Sequence, residues 1–414
     1  MNDMLLSPHP LDALIPTILL FFGIAGLVVP LLQRLKISPV LGYLMCGVVI
    51  GPYGLVVFAD TVPWLRSIAI QDRRTVEILG ELGIITLMFT IGLDLSLERL
   101  RQLRRYIFGL GSLQIVLTAT VIFAIARLFD NTVQAAVLMG ASFSLSSTTI
   151  VRKLLEERNL SSGPVGILCL SVLLMQDLAV VPILLLTSSF SDTQGGSVIL
   201  AMASSLALGG VTLIGMYVLG RKVLAPLLHS ASTGSSPEGL AAFVVFMVMG
   251  CAVLTDKAGL SLALGAFMAG LLIAETAFRH EVDIIIRPLK GVLLGIFFLS
   301  IGMMMDIREV LRHPILLLLS VVGLYALKAA ILLPLCRGFQ VPGRQAAEVA
   351  VYLAQPGEFA LVILGVSMAA GLMPERDVQF FLLVIVLAMM LTPLLFKLAP
   401  LAGNWGHRGF SREG

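Results

Sequence analysis

A chain of 414 residues that is 58% hydrophobic and 13% charged, with a net charge of +3, is far from a water-soluble globular protein, in which roughly a quarter of residues are charged. Lipid is therefore the expected solvent for most of the chain, and the small net charge argues against nucleic acid as a partner. The cysteines (Cys46, Cys169, Cys251, Cys336) all fall in apolar runs without a C-x-x-C spacing and read as buried, inert small hydrophobes.

Residues 1–10 have no basic stretch and no clear small-residue cleavage site follows them, so they are expected as an extracytoplasmic N-terminus leading into a retained first helix. Breaking the chain at charges, prolines and glycine clusters predicts spans at 11–32, 39–51, 77–95, 105–129, 132–154 and 163–190. A linker span follows at 196–224, then spans at 238–256, 259–276, 287–305, 313–336, 344–371 and 376–399, with a cytoplasmic tail over 400–414. The predicted fold is an all-α polytopic membrane protein of about thirteen transmembrane helices. Basic residues of alternate connections divide nineteen to eight, which places the N-terminus outside and the C-terminus in the cytoplasm. Lys328, the remaining basic residue, falls in mid-span.

Gly42, Met45, Gly47 and Ile50 of the second span recur as Gly265, Met268, Gly270 and Ile273 of the ninth. Phe89-Thr-Ile-Gly-Leu of the third resembles Leu299-Ser-Ile-Gly-Met of the tenth. Both pairs lie seven spans apart, and because seven is odd the second copy enters the membrane upside down. Residues 11–190 and 238–399 therefore read as inverted repeats, the mark of alternating-access secondary transporters, whose ion sites form where broken helices meet.

The fifth span carries six hydroxyls in eight residues, Ser142 and Ser144 followed by Ser146, Ser147, Thr148 and Thr149. Such a run can unwind, because side-chain oxygens take over backbone partners. Seven spans on, Gln355-Pro356-Gly357-Glu358 does the same by other means: Pro356 removes a donor and Gly357 frees the dihedrals. Two crossing discontinuous helices are expected there, offering carbonyls to a cation; the plainer alternative is serine back-bonding and a proline kink in ordinary helices. In the sixth span Gln176 and Asp177 sit in the middle of an apolar run. An acid at that depth costs several kcal/mol and marks a functional site. Desolvation penalises its bare charged form, so a proton and a dehydrated cation compete for one carboxylate, with Gln176 expected to add a neutral carbonyl oxygen. One titrating carboxylate implies one cation per proton, hence electroneutral exchange. Lys328, also near mid-membrane, needs a partner: Asp177, Glu358, or the loose ends of a broken helix. Glu358 reads equally as a second ion-linked carboxylate or a structural charge partner.

Ile37-Ser-Pro-Val-Leu-Gly-Tyr-Leu, Phe-x-Ile-Gly-Leu-Asp ending at Asp94, Leu145-Ser-Ser-Thr-Thr, Gln176-Asp177, Arg279-His280, Ile286-Arg-Pro-Leu-Lys-Gly-Val-Leu-Leu-Gly-Ile-Phe-Phe and Gln355-Pro-Gly-Glu-Phe-Ala occur in this order. With them the chain resembles the Kef-type potassium/proton antiporters of the cation:proton antiporter superfamily. The resemblance implies a homodimer with a mobile core and a dimerisation scaffold, an ion site at Gln176 and Asp177, and electroneutral exchange. Two departures stand out. Pro356 occupies a position where the family commonly has glycine, and the regulatory nucleotide-binding domain that many members carry is not present in this chain.

The expected function is monovalent cation/proton antiport in the inner membrane, with potassium as the cation, no cofactor and no enzymatic chemistry. The alternatives are sodium/proton exchange and, in another class, a proton-uncoupled cation channel, for which no Thr-Val-Gly-Tyr-Gly filter is present.

Overall fold

The computed structural model describes residues 19–35, 38–54, 73–95, 97–192, scattered positions between 207 and 222, 237–257, 261–306, 308 and 312–408. Among them regular structure is entirely helical: α1 (Leu19–Arg34), α2 (Pro39–Ile50), α3 (Arg73–Asp94), α4 (Leu97–Gln102), α5 (Arg105–Leu128), α6 (Val133–Ser144), α7 (Thr148–Glu157), α8 (Pro164–Asp192), α9 (Pro237–Lys257), α10 (Leu262–Ala274), α11 (Arg279–Met304), α12 (Pro314–Gly338), α13 (Gly343–Leu353), α14 (Glu358–Ala369) and α15 (Glu375–Arg408). Seven runs are apolar and long enough to cross a bilayer: α5, α6 with α7, α8, α9, α12, α13 with α14, and α15. Each predicted span on described residues meets a helix. The linker span at 196–224 lies largely outside them, so the total of thirteen stays an expectation.

The chain divides into two compact units, Met1–Leu87 with Ile284–His313, and Met88–Asp283 with Pro314–Gly414. Each draws on both halves of the sequence, and packing in each carries the repeat. In the first unit, a Cβ at Gly47 of α2 would collide with the Leu299 carbonyl and come within 2.9 Å of Gly302 Cα on α11. In the second, a Cβ at Gly270 of α10 would collide with the Phe89 carbonyl and come within 2.8 Å of Leu93 N on α3, while Gly92 abuts Phe267 and Gly270 in return. Gly47 corresponds to Gly270 and Gly302 to Gly92, so the two halves make the same small-residue contact with partners exchanged. In lipid, where apolar burial gives helices little reason to associate, such close backbone approach is what holds them together. Both short helices also start alike: Ser38 Oγ accepts from Leu41 N–H and Ser261 Oγ from Leu264 N–H, each at 3.4 Å.

A second correspondence leads to the broken helices. After α5 the chain turns at Asp130 (φ 57°) with Asn131 N–H bonded to the Ala126 carbonyl; after α12 it turns at Gln340 (φ 64°) with Val341 N–H bonded to the Cys336 carbonyl. This six-to-one closure is a helix stop that uses one left-handed residue, and in both cases it feeds directly into the first half of a broken helix. Beside the breaks, Leu110, Val151, Leu155, Val172, Leu332 and Tyr352 bury together, and Tyr352 stacks on Phe396 at 4.2 Å between ring centroids. The outer faces of α5 and α12 expose Leu117, Val121, Leu316, Leu319 and Val322, which suit lipid.

Candidate functional site

In hydrocarbon every backbone N–H and C=O freed by a helix break must find a partner within the protein. α6 stops at Ser144 because Leu145 and Ser147 are extended, and α7 restarts with Ser147 as its cap, its Oγ accepting Ile150 N–H at 3.2 Å. The groups released between them are taken up by side chains from three other helices and from the second break. The Ser144 carbonyl accepts from Gln114 Nε2 (3.0 Å) on α5 and Gln176 Nε2 (3.3 Å) on α8. The Leu145 carbonyl accepts from Lys328 Nζ (2.8 Å) on α12, Ser146 N–H donates to Gln176 Oε1 (2.8 Å), and the Ser147 carbonyl accepts from Gln355 Nε2 (3.2 Å).

The second break is built against the first. α13 ends at Leu353, Pro356 supplies no N–H, and Gly357 precedes α14 in an extended conformation without a side-chain cap. A Cβ on Gly357 would lie 2.7 Å from the Ser146 carbonyl carbon and 3.0 Å from Ser147 N, so the two breaks touch backbone to backbone and only glycine fits. Ser146 Oγ donates to the Leu353 carbonyl (2.8 Å), and Lys328 Nζ donates to the Gln355 carbonyl (2.8 Å) and Ser146 Oγ (3.0 Å). Lys328 therefore takes the third of its three expected roles: among the described residues it pairs with no carboxylate, and it ties together the carbonyl-bearing ends of both broken helices. Those ends carry the negative poles of α6 and α13, which suits a fixed ammonium.

The carboxylates gather at the opposite, N-terminal ends. Asp177 Oδ1 accepts from Thr148 Oγ1 at 2.9 Å, and Glu358 Oε1 accepts from Thr149 Oγ1 at 2.9 Å, so adjacent hydroxyls of the first turn of α7 hold one acid each. The two acids differ in access: Asp177 is partly exposed beside half-buried Thr148, whereas Glu358 is 3% exposed. Glu358 Oε2 and Gln355 Oε1 are buried oxygens with no hydrogen-bond partner, in keeping with candidate ion ligands. A partly exposed carboxylate at the positive pole of a helix, with a hydroxyl beside it, can hold either a proton or a dehydrated monovalent cation.

Every candidate from the sequence thus falls in one unit and in one connected cluster, with two corrections of detail. The broken helices were expected to offer carbonyls to a cation; of the carbonyls freed there, those of Leu145 and Gln355 are engaged by the Lys328 ammonium. Gln176 Oε1, expected as a cation ligand, is engaged by Ser146 N–H. One participant was missed: Gln114, fully buried, whose Oε1 accepts from Gln176 Nε2 at 2.7 Å. Its signal was present, since an amide partway along the predicted apolar span 105–129 is itself an intramembrane polar residue.

Residues 18–397 match the family model described as sodium/hydrogen exchanger, transmembrane. The chain is 35% identical over 382 residues to the glutathione-regulated potassium-efflux system protein KefC of Escherichia coli (strain K12), covering 91% of this chain and 59% of that protein. It is 35% identical over 385 residues to the protein of the same name from Enterobacter sp. (strain 638), covering 92% of this chain and again 59% of the relative. This chain therefore spans about three-fifths of the length of these relatives. The solved structure of the sodium proton antiporter MjNhaP1 from Methanocaldococcus jannaschii superimposes with a TM-score of 0.68 over 95% of this chain and 98% of that one, at 16% identity, a likeness of fold. With the family model covering nearly the whole chain, this integral membrane protein belongs to the sodium/hydrogen exchanger family.

Proposed function

We propose that the protein is an electroneutral potassium/proton antiporter in which cation and proton compete for Asp177 by alternating access. The observation that carries this reading is the position of Asp177: a carboxylate midway along the apolar helix α8, half-buried, and held by Thr148 at the crossing of two broken helices. The transporter family and the potassium-efflux relatives support it. Asp177 and the Thr148 hydroxyl bind the ion, while Ser146, Ser147, Gln355, Gly357 and Lys328 hold the crossing closed. Thr149 holds Glu358 beside the ion site, and Gln176 serves it by ordering Ser146. Within this reading the chain needs no cofactor, performs no enzymatic chemistry and acts as a homodimer. It lies in the inner membrane with its N-terminus outside, as the nineteen-to-eight division of basic residues favours.

The test is reconstitution in liposomes with a pH dye, titrating potassium, sodium and lithium for wild type and Asp177→Asn. Proton movement driven by potassium and lost in the variant is expected; flux that persists without the carboxylate contradicts the reading. Sodium is the second reading, favoured by the description of the matching family and by the fold neighbour, and half-saturation at lower sodium than potassium in the same titration would select it.

A further inference from the structure

Gln114 lies on α5, a helix that contributes no other residue to the proposed ion site, yet it is fully buried and makes three hydrogen bonds. Its Oε1 accepts from Gln176 Nε2 (2.7 Å), and its Nε2 donates to the Ser144 carbonyl (3.0 Å) and Thr118 Oγ1 (3.2 Å). An amide can present either its oxygen or its nitrogen, and what faces it decides which. Because Gln114 offers an oxygen, and the Ser144 carbonyl and Ser146 Oγ (3.3 Å from Gln176 Nε2) add two more, the Gln176 nitrogen must point that way. Its own oxygen is thereby turned to Ser146 N–H. Ser146 in turn contacts Lys328 and the Leu353 carbonyl, and two residues further on stands Thr148, the partner of Asp177.

We propose that Gln114 is a positioning residue for ion binding: by fixing the orientation of the Gln176 amide it sets the geometry of the α6–α7 break, and so the placement of Thr148 against Asp177. This rests on the antiport reading above. It also ties the neutrality of position 176 to a residue on another helix. A carboxylate there would set its oxygens against Gln114 Oε1 and the Ser144 carbonyl with no proton to share, so the site keeps one ion-exchanging acid on α8 as long as Gln114 keeps this orientation.

The experiment measures potassium-driven proton flux in proteoliposomes against potassium concentration for wild type, Gln114→Met, Gln114→Asn and Gln114→Glu. Gln114→Met keeps the volume and loses every bond; the expected result is a half-saturating potassium concentration raised roughly tenfold, about what one lost hydrogen bond transmits, with a maximal rate close to wild type. Gln114→Asn keeps an amide in the membrane but withdraws it by one carbon, guards against a variant that does not fold, and carries the same expectation. Gln114→Glu, as the neutral acid, keeps a carbonyl oxygen for Gln176 and gains an O–H that can replace Nε2 as donor to the Ser144 carbonyl, and is expected to lie nearer wild type than either. Unchanged half-saturation in the folded Met or Asn variant overturns the proposal, as does a fall in maximal rate alone or a Glu variant no better than Met. Those outcomes leave the antiport reading intact, whereas flux surviving in Asp177→Asn overturns the reading itself.

Discussion

Two threonines, adjacent in sequence, each hold one acid of the candidate site, and the two acids differ in access. Thr148 donates to the partly exposed Asp177, and a hydrogen bond to an ionised group is worth about 1.5–3 kcal/mol. Thr148→Val is therefore expected to raise the half-saturating cation concentration by about tenfold or more, with Thr148→Ser close to wild type, as read from flux titrations. Lys328 is a different case. It is fully buried and donates to two carbonyls and a hydroxyl, so Lys328→Met strands the Leu145 and Gln355 carbonyls at the crossing. Loss of stability on the order of 3 kcal/mol is expected from the two unsatisfied acceptors, seen as a lowered melting midpoint in detergent. An unchanged midpoint would show that the two helix ends hold without it. Asp177 and Lys328 stand out in the sequence because a charge inside an apolar run is costly in lipid. Gln114 was passed over because a neutral amide costs less in lipid and stands out less. Its partner is 62 residues away, a relation that only the packed helices reveal.

Among elements, the broken helices were the most readable feature, since unwinding leaves a local trace: the run of hydroxyls at Ser142–Thr149 and the Pro356-Gly357 pair. The direction in which the freed groups turn left no such trace. Carbonyls expected to face a cation are bonded to Lys328, because an ammonium already within reach of both helix ends satisfies them without a bound ion. Backbone contact at the crossing makes a sharp prediction. Gly357→Ala puts a Cβ 2.7 Å from the Ser146 carbonyl carbon, so the breaks must separate and exchange is expected to be lost. Gly365→Ala, in the same helix with nothing within 4 Å, serves as the control and is expected to exchange normally. Equal activity of the two variants would mean that the crossing tolerates separation.

For the whole molecule, matching motifs seven spans apart identified the repeat, but not what the repeated pieces touch. Sequence equivalence says that Gly47 resembles Gly270; only packing shows that Gly47 meets Gly302 while Gly270 meets Gly92. The repeat is symmetric in scaffold and asymmetric in side chains: α5 brings Gln114 to one break and α12 brings Lys328 to both, while α8 carries Asp177. On the reading proposed above Asp177 is the one exchanging carboxylate and the exchange is one cation for one proton, so initial rates are expected to be independent of an imposed membrane potential. A rate that follows the potential would require a second titrating group, for which Glu358 is the nearest candidate.

The most direct test is potassium-driven proton flux through Asp177→Asn in sealed liposomes, measured beside wild type at equal protein density with the membrane potential held at zero. The account predicts flux in wild type that saturates with potassium and flux at the level of empty liposomes in the variant. Saturable, potassium-driven proton flux through Asp177→Asn would contradict it.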